Sequence, residues 1–101
     1  MSIIEQRRKA LRLKIIDHLL HLAERRPYDR ISRDDIVADL NMVPANLNHI
    51  FGPVSKLRDE MMARAVETER LRVIASGLER GHPVAKAAPE ELKKRALETL
   101  I

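Results

Sequence analysis

The chain is 101 residues long, 45% apolar, with Tyr28 and Phe51 as its only aromatic side chains and a net charge of +4 from 19 Lys and Arg against 15 Asp and Glu. That is room for one domain with a modest aliphatic core, and its vocabulary of Leu, Ile, Val, Met and Ala is that of packed helices. The absence of cysteine excludes a disulfide framework and a thiolate metal site. Asp17, His18 and His21 interrupt the best apolar run, which excludes a signal peptide and a membrane span and points to a soluble, cytoplasmic protein.

The charge is unevenly placed. Residues 1–30 hold eight basic and four acidic side chains, residues 31–60 three and five, and residues 61–101 eight and six. The excess gathers at Arg7, Arg8, Lys9, Arg12 and Lys14. A cluster of this kind favours nucleic acid or an anionic surface.

In chain order, the spacing of Ile4, Leu11, Ile15, Leu19 and Leu22 predicts a long amphipathic helix from about Ile3 to Arg25, widened by Ile16, Leu20 and Ala23 and ended by Pro27. After the turn Pro27-Tyr28-Asp29-Arg30, Ser32 is a good N-cap, with Asp34 and Asp35 opposing the positive end of the helix dipole. Ile36, Val37 and Leu40 give this second helix a buried face, and Asn41 suits a left-handed closing position. Pro44 opens a third helix carrying Leu47, Ile50 and Phe51, which Gly52-Pro53 ends. Two short helices joined by a tight turn make a helix-turn-helix on spacing alone.

Beyond it, residues from Val54 to about Arg80 read as one long helix with Leu57, Met61, Ala65, Leu71, Ile74, Ala75 and Leu78 available for burial, and with Gly77 as a local cost. Met61 and Met62 read as core packing. Residues 81–89 read as a linker. A final helix from Pro89 places Glu90 and Glu91 in its first turn and presents Leu92, Ala96, Leu97 and Leu100 on one face.

From Ile15-Ile16 through Pro27-Tyr28-Asp29, Ile31-Ser32, Asp35-Ile36-Val37, Asn41-Met42-Val43, Leu47 and Phe51 to Leu57, the chain resembles the DNA-binding domain of TetR-type regulators without a gap. The resemblance implies a three-helix DNA-binding domain whose third helix enters the major groove. The chain departs from the family at Asn48, where a phosphate-contacting Tyr is usual, at Val54, where a Lys is usual, and at Asn41, where Gly opens the turn. Too few residues follow Leu57 for the family's large ligand-binding domain, so no small-molecule effector is expected.

The expected architecture is therefore all-α: a TetR-like helix-turn-helix region at 1–53, then a long helix and a short C-terminal helix at 54–101 for dimerisation, all in one compact domain. Asn46 and Asn48 rank first for base readout because an amide pairs bidentately with adenine. His49 shares their helix, and Pro44 and the small Ala45 open it and permit close approach to the groove. Ser32, Arg33 and Lys56 are candidates for phosphate contact, with Ser32 first of all a cap and Asp34 and Asp35 expected to turn away from DNA. Arg7, Arg8, Lys9 and Arg12 form either a basic arm beside the recognition helix or a solvated helix face. His18 and His21 have metal-compatible spacing without a clear third ligand, and read as solvated or core-edge side chains. With no phosphate loop, nucleophile elbow or apolar pair of carboxylates, neither catalysis nor a cofactor is expected.

The reading that follows is a homodimeric, sequence-specific transcriptional repressor bound to double-stranded DNA, away from membranes. Its rivals are a DNA-packaging or replication adaptor with the same helix-turn-helix, and a protein-interaction module that antagonises another regulator.

Overall fold

The computed structural model describes residues 2–100 and is all-helical over them. Seven helices follow one another: α1 (Ile3–Ala23), α2 (Arg33–Leu40), α3 (Pro44–Phe51), α4 (Val54–Glu67), α5 (Leu71–Glu79), α6 (Pro83–Lys86) and α7 (Glu90–Glu98), with a single 3-10 turn at Tyr28–Arg30.

The spine is α1, whose 21 residues span about 32 Å at 1.5 Å per residue. Its C-terminal half buries Ile15, Ile16, Leu19, Leu20 and Ala23 against a core that includes Leu57, Met61, Met62 and Ala65 of α4 and Leu47 and Phe51 of α3. The N-terminal half has no such cover. Ile4 is 65% and Leu11 44% exposed, although both fall on the helical spacing that marked them for burial. The reason is tertiary: the core closes over α1 only from Ile15 on, and Leu11 lines an open cleft with Arg8, Arg12, His49 and Ile50.

The segment from α2 through the turn into α3 forms through local chemistry. Ser32 N–H donates to the Asp35 carboxylate at 3.0 Å and Asp35 N–H to Ser32 Oγ at 3.1 Å, a reciprocal capping box at the start of α2. These bonds from Ser32 hold the Asp35 carboxyl below the usual range, with Arg26 adding to the effect. Asn41 closes α2 at φ 54° and ψ 46°, and Pro44 stands in the first turn of α3.

The second half differs from the expected arrangement in two places. The long helix is broken: Glu69 adopts φ 55°, Arg70 N–H reaches Ala65 C=O at 2.8 Å, and α5 starts afresh. Segment 81–89 is not a linker but a folded corner carrying α6. His82 anchors it: buried, its Nδ1 accepts from Val84 N–H at 3.2 Å, its Nε2 meets Asp59 at 3.0 Å, and its ring stands edge-on to Tyr28 at 5.5 Å. The corner so joins α4, α6 and the turn that precedes α2.

The apolar faces of α5 and α7 are largely consumed within the chain, Val73, Ile74 and Ala75 on one and Leu92 and Ala96 on the other. The exposed large apolar residues there are Leu97 of α7 and Leu100 just beyond its end. No helix among the described residues is long and apolar enough to cross a membrane.

Candidate nucleic-acid interface

Burial of Leu47 and Phe51 fixes which face of α3 is free. Pro44, Ala45, Asn46, Asn48 and His49 are all exposed, and Val43, just before the helix, joins them at 60% exposure. Leu47 and Phe51, four residues apart, lie on the same side of the helix and dock it on the core, so Ala45 and His49 point most directly outward. Asn46 and Asn48 stand on either flank. Among the described residues no hydrogen bond occupies the side chains of Asn46, Asn48 or His49.

The N-termini of α2 and α4 lie side by side. Ser32 and Arg33 of the α2 start line one cleft with Asp34, Val54 and Arg58, so the beginnings of α2 and α4 adjoin. They differ electrically. The α2 start is answered by its own capping box and by Asp34 and Asp35, whereas α4 has neither a side-chain cap nor an acidic residue in its first turn. The first N–H groups of α4 and the exposed Lys56 are thus the stronger feature for an anion. The unanswered α4 terminus was missed in the sequence, although Pro53 at the cap and the lack of a following acidic residue were its visible signs. Asp35 does turn back, into the cap and towards Arg26 at 3.2 Å. Asp34 lines the cleft beside Arg33.

The basic cluster of α1 is divided by the turn of the helix. Arg8 lies in a cleft with Leu11, Arg12, His49 and Ile50, at the C-terminal end of α3. Lys9 lines a different cleft, facing Glu60 and Glu67 of α4. Arg7 is exposed. Arg12 is engaged inside the fold: its guanidinium donates to Ile50 C=O, pairs with Glu60 and lies 4.8 Å over the Phe51 ring. It acts as a clamp between α1, α3 and α4, which separates it from the other three cations. Among the described residues Arg7, Arg8, Lys9, Arg33 and Lys56 enter no ion pair.

The two histidines of α1 also part. His18 Nε2 meets Asp39 of α2, and His21 is exposed. Among the described residues no three His, Asp or Glu side chains gather as metal ligands do. Compared with protein-family models, with curated proteins and with solved structures, the chain gives no match.

Proposed function

We propose that the chain is a sequence-specific DNA-binding regulator, a homodimeric repressor that inserts α3 into the major groove. The observation that carries this reading is the free face of α3. Its hydrogen-bonding side chains are uncommitted, and its C-terminal end lies beside Arg8 and is followed at once by the uncapped start of α4 with Lys56. An element with base-reading groups in the middle and phosphate-binding groups around it matches the division of labour in DNA recognition, where backbone contacts position and edge contacts specify. The exposed Leu97 and Leu100 support a second copy as the partner of α7, which would give two recognition helices per particle.

The test is salt dependence. Duplex affinity should fall with log salt at a slope of about −0.9 for each phosphate neutralised. Arg7→Ala with Arg8→Ala should flatten the slope by roughly one to two, whereas Lys9→Ala, turned towards α4, should barely alter it. Fluorescence anisotropy across a potassium chloride series measures both. An unchanged slope in the double variant would make the α1 cations a solvated face. A second reading, a protein-interaction module, is favoured by Asp34 beside the junction and by the acidic balance of residues 31–60. It predicts no duplex binding at any salt concentration.

A further inference from the structure

We propose that the N-terminal end of α3 reads A·T pairs, Val43 and Ala45 meeting thymine methyl groups and Asn46 and Asn48 meeting adenine edges; the inference rests on the DNA reading above and names the sequence class it recognises.

Three observations carry it. First, α3 contains no Lys or Arg, the side chains that read guanine through its O6 and N7 acceptors. The cations beside it, Arg12 and Arg8, belong to α1, and Arg12 is held by Ile50 C=O and Glu60. Second, Val43, Pro44 and Ala45 form a contiguous exposed apolar step at the end of α3 that a helix-turn-helix presents to base edges. Val43 is 60% exposed beside a turn whose other apolar residue, Met42, is packed on the core. In the major groove the only apolar group on a base edge is the thymine methyl. Third, Asn46 and Asn48 project about 160° apart around the helix, with Ala45 between them. With Ala45 facing the floor of a groove about 12 Å wide, the two amides lie on either side of it, each nearer the base edges of one strand. They therefore reach adenines on opposite strands, and an adenine on each strand brings a thymine on the other. The apolar and amide groups so specify the same pairs.

The experiment has two stages and uses the full chain. Duplexes are selected from a random pool, and affinity is then measured for the selected duplex with single thymines replaced by uracil, or adenines by 7-deazaadenine. The selected half-site should contain a run of A·T pairs. Removing one methyl should weaken binding roughly fourfold, the equivalent of one buried carbon. Val43→Ala should abolish the sensitivity at one thymine, and Asn46→Ala that at one 7-deazaadenine. Val43→Thr keeps the branched shape and should show an intermediate response, and thermal melts confirm that each variant folds. A selected core specified by G·C pairs, or affinity indifferent to uracil, overturns the inference while leaving DNA binding intact. Failure to enrich any duplex overturns both.

Discussion

Phe51→Ala should destabilise the protein by about 3–5 kcal/mol, the cost of emptying a large aromatic site in a packed core. Phe51 is buried at the end of α3, sits in the common core with Leu20 and Leu57, and carries the Arg12 guanidinium over its ring. Truncation removes the wedge that seats α3 and leaves the Arg12 clamp without its platform. Domains of this size have about 5–15 kcal/mol in total, so the loss is a large share of it. With roughly 4–8 °C lost per kcal/mol, the melting midpoint should fall by more than about 12 °C. Phe51→Leu, which keeps most of the volume, should cost less than about 1.5 kcal/mol. Calorimetry or circular-dichroism melts measure both. A Phe51→Ala midpoint within a degree or two of wild type would place Phe51 at the surface and reverse the orientation of α3.

Gly77→Leu should be comparably damaging, at about 3 kcal/mol or more. Gly77 is buried within α5 where α4 and α6 close on it. A Cβ there would lie 2.6 Å from Met62 Cε and 2.8 Å from Ala85 Cβ. Met62 can swing its terminal methyl aside, but Ala85 Cβ is fixed to its backbone and moves only with α6. The choice of Leu separates packing from propensity, since Leu favours a helix over Gly by more than about half a kcal/mol. Any loss is then steric. Gly77→Ala should show the two effects opposed, with a smaller net loss. A melting midpoint equal to or above wild type for the leucine variant would mean that α6 does not sit on α5.

Three helix ends show what the sequence made legible. Asn41, Glu69 and Gly81 all adopt positive φ, and after each the next N–H reaches back to a carbonyl five residues earlier: Met42 to Val37, Arg70 to Ala65 and His82 to Gly77. Two of these stops are readable, because Asn and Gly tolerate the left-handed conformation. Glu69 does not advertise one. A left-handed glutamate costs about 1–2 kcal/mol, and what holds it is tertiary: the break turns Val73, Ile74 and Ala75 of α5 into the core, with Glu69 pairing with Arg95 of α7 and Arg70 with Glu24 at the surface. No local pattern reports partners so distant. Segment 81–89 failed differently, since Gly81 and Pro83 are true turn signals, yet the small Ala85 and Ala88 let the turn bury itself.

At the candidate interface, the Ser32 cap, the start of α3 and its buried face followed from local rules, and so did the exposed Asn46, Asn48 and His49. The fate of the basic cluster did not. Periodicity puts Arg8 and Arg12 on one face of α1, but only the packed structure shows that α3 ends beside them and that Arg12 is drawn into the Ile50 carbonyl and Glu60. Val43 was likewise passed over, because an exposed aliphatic residue in a turn carries no sequence signature.

The most direct test of the central claim is a competition titration at fixed salt. Wild type and the Asn46→Ala, Asn48→Ala double variant are each measured against the best selected duplex and a scrambled duplex of equal length and composition. The wild type should prefer the selected site, a near-palindrome with half-site centres about 10 bp or a multiple of it apart, because each bidentate amide contact discriminates by about 1–3 kcal/mol. The double variant should lose that preference while binding the scrambled duplex as the wild type does. Equal affinity of the wild type for both duplexes would contradict the account.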